Sequence, residues 1–240
     1  MSRERSIATL TGSKVDTVPC DAMPEITLAM IEGLPTTGAT DPIEYYRRPI
    51  VGRLFRRRIN MGLELLGSQS FDSALEVGYG AGAVLLALAP TGAELHGIDL
   101  DADPAAATAV LASRGHQATL ERADVCQLPY ANRSFDLVVC FSVFEHIHDY
   151  EKALSEVRRV LRAKGQFLLG MPAVNRMMEA GFRAIGFKDI NDHHVTTPAD
   201  VSSSLARAGF TTLRSRTLQF PIPGVRVYYT WLLEKAAVAS

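Results

Sequence analysis

Past residue 71 the chain alternates short apolar runs with longer amphipathic stretches, and this rhythm predicts the architecture. Ala74–Val77, Glu94–Ile98, 117–121, Phe135–Phe141 and Gln166–Gly170 read as strands. Between them, 82–89, 104–114 and 149–162 carry apolar residues at helical spacing. Strands separated by helices imply right-handed crossovers and a parallel sheet with helices on both faces. Near the end the order changes. A helix over 198–208 closes at Gly209, then 211–219 and 225–233 read as strands joined through Pro221, Pro223 and Gly224. Strands connected that directly pair antiparallel. The expected fold class is α/β: a doubly wound, mostly parallel seven-stranded sheet finished by a C-terminal antiparallel hairpin.

Ahead of the sheet, Ile50, Leu54, Phe55, Ile59, Leu63 and Leu66 predict a helix over 50–66. Asp41-Pro42 signals an earlier helix start, and Pro49 breaks or restarts that helix. The first forty residues are rich in Ser, Thr, Gly and Pro, with one short helix in prospect. Asp21 would cap it, Pro24 would sit in its first turn and Gly33 would end it. Residues 1–40 therefore read as an extension, mobile to about Val18. Residues 41–240 read as one domain with a cap insertion around 173–195.

Composition narrows the class. At 240 residues with 47% hydrophobic and 21% charged residues, the chain can bury one core and is not disordered. A net charge of −1 gives no general attraction for nucleic acid. No apolar run approaches the ~20 residues that span a bilayer, and the polar N-terminus lacks a secretory signal. Cys20, Cys126 and Cys140 are too few and too widely spaced for a disulfide framework or a Cys-x-x-Cys metal site. The expectation is a cytoplasmic enzyme or binding protein.

The chemistry concentrates in 74–83, where Gly78, Gly80 and Gly82 follow a predicted strand and open a helix. Such glycines let backbone approach a ligand closely. The spacing alone also satisfies a dinucleotide loop, since Ala83 stands three residues after Gly80. No Lys-Ser/Thr pair follows, so a nucleoside-triphosphate loop is excluded. Glu76, at the strand end, would repel a pyrophosphate and attract an ammonium or sulfonium. Asp99 ends the next strand and suits two ribose hydroxyls. Asp124 follows the third strand and suits the exocyclic amine of adenine. Three carboxylates at three successive strand ends describe a positively charged nucleoside without phosphate.

These residues resemble the class I S-adenosylmethionine-dependent methyltransferases. Glu76 with Gly78, Gly80 and Gly82 is similar to that family's first motif, and Gly97 to Asp99 to its ribose-binding segment. Arg122 to Val125, running on to Leu128-Pro129, is similar to its adenine motif. Ser134 to Cys140 resembles its fourth strand, with Glu145, His146 and Ile147 in the loop after it. Glu156 to Gln166 resembles the helix and turn before strand five. The likeness covers about residues 50–235 and implies S-adenosyl-L-methionine as cofactor and a Rossmann-like sheet. It also implies that backbone at Phe141 meets the methionine amino group, and that Leu100 and Val125 flank the adenine. Tyr79 is a bulky choice inside the glycine loop and joins the cofactor-binding set. Within the family, the chain looks most like the quinone-biosynthesis and natural-product tailoring branch, which methylates oxygen, nitrogen or carbon of small molecules.

Methyl transfer from a sulfonium is an in-line displacement that mainly needs alignment, worth about 7–11 kcal/mol. An oxygen or nitrogen acceptor also needs a base, and His146, after strand four, is the candidate. The plainer alternative is a loop histidine bonded to backbone. His148, His193, His194 and Tyr46 are candidate substrate contacts. The histidines with Asp149 or Asp192 form a weak ligand pattern, and no metal is expected. Arg47, Arg48, Arg53, Arg56, Arg57 and Arg58 crowd one segment without an acid. They suit a solvated helix face, an acidic substrate or peripheral contact with an anionic membrane. The partner expected is a small-molecule substrate and not nucleic acid. Two rivals remain open. A nicotinamide-dependent reductase would want Tyr-x-x-x-Lys, which no tyrosine here supplies. A catalytically silent cofactor- or partner-binding protein would share the fold.

Overall fold

In a computed structural model, residues 25–37, 43–173, 194–219 and 225–237 are described. Strand β1 (Ser73–Val77) is followed by α4 (Ala83–Leu88), β2 (Glu94–Asp99), α5 (Pro104–Ser113) and β3 (Thr119–Arg122). Then come β4 (Phe135–Phe141), α6 (Tyr150–Val160), β5 (Leu161–Pro172), α7 (Pro198–Ser204), β6 (Phe210–Gln219) and β7 (Arg226–Lys235). Ahead of the sheet stand α1 (Leu28–Ile31), α2 (Ile43–Arg47) and α3 (Val51–Leu63). The strands form one sheet in the order β3-β2-β1-β4-β5-β7-β6. β1 to β5 pair in parallel, while β7 runs antiparallel to both β5 and β6. The predicted α/β sheet with its antiparallel C-terminal hairpin is the observed one.

Strand alternation explains the two layers. Along β4, Leu137 and Val139 face a core built with Ile59, Leu63, Leu85 and Leu111. Val138 and Cys140 face the opposite core of Leu154, Val157, Phe167 and Phe210. The period of two sends neighbouring residues to opposite faces, and both faces are covered. Helix starts follow their caps. Asp103 accepts from Ala105 N–H at 2.9 Å ahead of Pro104, and Asp149 accepts from Lys152 N–H at 3.2 Å. Thr197 and Asp200 form a reciprocal capping box.

Three expectations differ in detail. The first helix is one turn, capped by Thr27 through Met30 N–H, whereas Asp21 and Pro24 lie outside the described residues. β5 begins at Leu161, not Gln166, because Leu161 pairs with Phe135 beyond a register shift. α7 ends at Ser204, with turns carrying the chain to Gly209 at φ 78°. Residues 1–24 and 38–42, positions 174–193 of the cap expected around 173–195, and the Pro221 to Gly224 connection also lie outside the described residues. No helix among the described residues is long and apolar enough to cross a membrane.

Neighbours on either side of β1 are reached by opposite turns of the chain, toward β2 and toward β4. The carboxyl ends of β1 and β4 therefore bound a crevice, the place where open α/β sheets bind ligands.

Candidate active site

The turn from β1 into α4 depends on three glycines with positive φ: Gly78 at 81°, Gly80 at 47° and Gly82 at 82°. Side chains rarely adopt that region, so the glycines are conformationally required here. Gly78 has a second reason. A Cβ there would run into Val143 Cγ2, which lies over it. Asp99, at the end of β2, holds the loop. One carboxylate oxygen accepts from Gly80 N–H at 3.0 Å, and the other accepts from Asp101 and Ala102 N–H, each at 2.9 Å. A carboxylate offers about four acceptor positions, so Asp99 keeps capacity for a further donor.

Tyr79 turns away from the crevice. Its ring is buried against β2, where a Cβ on Gly97 would stand 2.9 Å from Cδ1. Burial and the neighbouring Asp99 push its phenol up to about 12. Its side chain thus props the loop from behind, and Gly97 exists to admit it.

Glu76 is buried on the same face, 4% exposed, with Oε2 lacking any hydrogen-bond partner. Its carboxyl lies well above the usual range, chiefly through burial, with Asp99 adding like-charge repulsion. Leu85 N–H, in the uncapped first turn of α4, hydrogen-bonds to it and opposes the rise. Asp124 stands two residues past β3, exposed, accepting from Cys126 N–H at 2.8 Å. Val125 is buried, while Leu100 is 64% exposed immediately after Asp99. An apolar side chain left open beside two carboxylates suits a flat apolar ligand surface.

Phe141 ends β4. Its ring lies between Gly62 of α3 and Gly170 of β5, and a Cβ on Gly62 would come within 2.6 Å of it. Ser142 follows at φ 58°, a strained conformation for a non-glycine residue, and its hydroxyl meets Tyr228 Oη at 3.0 Å. The strain turns the chain so that Val143 covers Gly78 and Glu145 points inward. Glu145 is 1% exposed, and burial raises its carboxyl to about 8 against the pull of its own backbone N–H and of Arg58. Arg58 turns inward from α3 and stacks over Phe55 at 4.2 Å and Tyr228 at 5.3 Å. Burial works against its charge, but Tyr46, Tyr228 and Glu145 more than compensate. Tyr46, 8% exposed, lies 3.5 Å from Arg58 through its hydroxyl.

His146 is exposed at the rim, and its ring stands 5.1 Å from that of His194. His148 is exposed two residues on, and His193 lies outside the described residues. The structure therefore brings Glu76 and Asp99 together at the glycine loop, and His146 and His194 together after β4, while Tyr46 sits with Arg58 and Phe55. Sequence reasoning missed Glu145, Tyr228 and the inward turn of Arg58 as parts of this site. For Arg58 a signal existed: it sits three residues after Phe55 and four before Gly62, on the buried face of α3. Most of the other arginines serve the fold: Arg47 pairs with Glu44, Arg57 with Glu64, and Arg56 donates to Tyr46 O. A separate surface groove between α6 and α7 is walled by Glu151, Arg158 and Arg207, none of them a crevice residue.

Residues 75–169 match the methyltransferase domain family. Over 160 residues the chain is 32% identical to a malonyl-[acyl-carrier protein] O-methyltransferase of Geobacter sulfurreducens, covering 62% of this chain and 60% of that one. It is 27% identical to a demethylmenaquinone methyltransferase of Thermus thermophilus, covering 72% and 87%. The first curated relatives it matches are spanned over 20%, 38% and 60% of their own length. Among solved structures, the fold matches the Burkholderia thailandensis 1,6-didemethyltoxoflavin-N1-methyltransferase, which holds its substrate and S-adenosylhomocysteine. That match has a TM-score of 0.57 at 19% identity, covering 76% of this chain and 78% of that one.

Proposed function

We propose that the chain is a class I S-adenosylmethionine-dependent methyltransferase that methylates a small-molecule acceptor in the crevice between β1 and β4. One observation carries the reading. Glu76 is buried with an unpartnered oxygen, and Asp99 adds a second negative charge beside it. Burial, and then the charge of Asp99, raise the cost of ionising Glu76 until a cation arrives. A sulfonium and an ammonium on one nucleoside supply it; a dinucleotide diphosphate would add charge of the wrong sign.

S-adenosylmethionine brings a methyl group already activated on a positive sulfur. The protein's own share is binding, alignment and exclusion of water. In this reading Gly78, Tyr79, Gly80 and Gly82 lend loop backbone, and Asp99 offers its remaining acceptor capacity to ribose hydroxyls. Asp124 receives the adenine amine, with Leu100 and Val125 on either side of the ring. Backbone at Phe141 meets the methionine amino group. Tyr46, His148 and His194 border the acceptor, and His146 is the base that takes its proton. The relatives that act on demethylmenaquinone and didemethyltoxoflavin support a small acceptor. The free thiols of Cys126 and Cys140 suit a reducing compartment such as the cytoplasm.

Thermal-shift titration tests the reading. S-adenosylhomocysteine at a hundredfold its Kd should stabilise the protein by about 2.7 kcal/mol, and NAD(P) should give no shift. Stabilisation by NAD(P) with none by S-adenosylhomocysteine would overturn it.

A further inference from the structure

The loop after β4 and the segment before α7 are far apart in sequence, yet a backbone clamp joins them. Val195 and Thr196 N–H both donate to Glu145 O, at 2.8 and 3.2 Å, and Thr196 Oγ1 donates to Ile147 O at 2.6 Å. The clamp fixes His194 opposite Glu145 and His146. One donor atom from each of the three lies within 4.8 Å of the other two, and His146 Nε2 is 4.0 Å from Glu145 Oε1. Glu145 is 1% exposed, and its Oε2 has no hydrogen-bond partner.

We propose that Glu145, His146 and His194 form a binding site for a divalent transition-metal ion that holds the oxygen of a hydroxylated acceptor. Two imidazoles and a carboxylate are a donor set suited to zinc and its borderline neighbours. Tetrahedral coordination at about 2.0–2.1 Å sets donors roughly 3.4 Å apart. Closing the donors to that spacing takes a shift of about an ångström, which a turn of the His146 ring at the exposed rim supplies. Three protein ligands leave a coordination position for a further donor, the arrangement of a reactive ion rather than a structural one.

The inference rests on the methyltransferase reading and narrows its acceptor to oxygen. A hydroxyl bound to the ion loses its proton to solvent near neutral pH. The resulting alkoxide or phenolate attacks the methyl carbon; the O–C bond forms as the C–S bond breaks, and neutral S-adenosylhomocysteine leaves. With the ion in place His146 is a ligand, and the ion does the work otherwise given to a base.

The test strips the full-length protein with chelator and titrates it with Co²⁺, following the d–d absorption bands, and with Zn²⁺, measuring metal content after desalting. One equivalent should bind to the wild type, and Glu145→Gln, His146→Ala and His194→Ala should each weaken binding at least tenfold. Catechol, used as an oxygen-donor probe, should shift the Co²⁺ bands of the wild type. No stoichiometric metal, or equal binding by the wild type and the exposed-site variant His146→Ala, overturns the site. Metal binding without a catechol shift overturns the acceptor assignment. S-adenosylhomocysteine calorimetry on the stripped protein separates the two levels: cofactor binding without metal uptake sinks this inference alone, whereas no cofactor binding sinks the methyltransferase reading.

Discussion

Glu76 places stability and binding in opposition. Its carboxyl is raised by burial, so the folded protein holds a proton more tightly than the unfolded chain does. Stability without ligand should therefore fall as pH climbs from the ordinary glutamate range toward the raised folded value. Glu76→Gln keeps an oxygen for Leu85 N–H and removes the buried charge. It should raise the melting temperature of the free protein at neutral pH by a few degrees, at about 2–4 °C per kcal/mol. The same change should weaken S-adenosylhomocysteine tenfold or more. A variant that melts lower and binds as well would show that the carboxylate serves the α4 turn alone. Asp99 should behave differently, because it satisfies Gly80, Asp101 and Ala102 N–H. Asp99→Ala strands those donors, so stability and cofactor affinity should drop together, each by about 1–3 kcal/mol. Unchanged affinity in calorimetry would relocate the ribose.

Helix α6 carries a bidentate pair whose two members both reach the backbone of the segment after β3. Arg159 binds both oxygens of Glu156, at 2.7 and 2.8 Å, and also donates to Leu128 O and Tyr130 O. Leu128 N–H donates back to Glu156 at 2.9 Å. The Arg159 bond first, then Leu128 N–H, holds the Glu156 carboxyl below its ordinary value. A depressed folded-state pKa adds stability above the ordinary glutamate range and loses it as pH falls through the folded value. Glu156→Gln should thus cost about 1 kcal/mol in urea unfolding at neutral pH, allowing for partial solvent screening. The gap should close once both states are protonated in acid; a gap independent of pH would mean the bond matters for shape and not for charge. This staple also places Val125 and Leu128, and so the proposed adenine wall. Its members are near in sequence to recognised motifs, and the strands and glycine turn were legible for the same reason: local periodicity and local conformation encode them. The clamp of Val195 and Thr196 on Glu145 O was not legible, since it depends on which loops a finished sheet brings side by side. Nor was the Phe141 ring's seat, because Gly62 and Gly170 look like unremarkable glycines until strand and helix are packed.

Across the whole molecule the sheet is unequally protected. β4 is paired on both sides, with Leu137 to Cys140 fully buried, while β6 is an edge strand paired only with β7 and exposed along most of its length. The antiparallel end was readable from Pro221, Pro223 and Gly224, but the insertion of β7 between β5 and β6 was not, because apolar alternation tells which face is buried and not which neighbour a strand takes. The order matters for function. The proposed site lies at the ends of β1 to β4, on α2 and on the loop before α7, and β7 adds Tyr228, which meets Ser142 and Arg58. Beyond the buried Phe210 at its start, β6 is fastened at the surface, where Arg214 and Arg216 reach Leu65 O and Glu64 just past α3. Edge amides should accordingly exchange with deuterium through local opening, at free energies well below global unfolding, while β4 amides exchange only when the whole domain opens. Adding S-adenosylhomocysteine should then slow exchange in β4 and β1 and leave β6 nearly unchanged, because ligand linkage raises the cost of global opening but not of local fraying. Equal protection of β6 and β4 in the free protein would mean that the edge is covered in solution, most simply by a second copy of the chain.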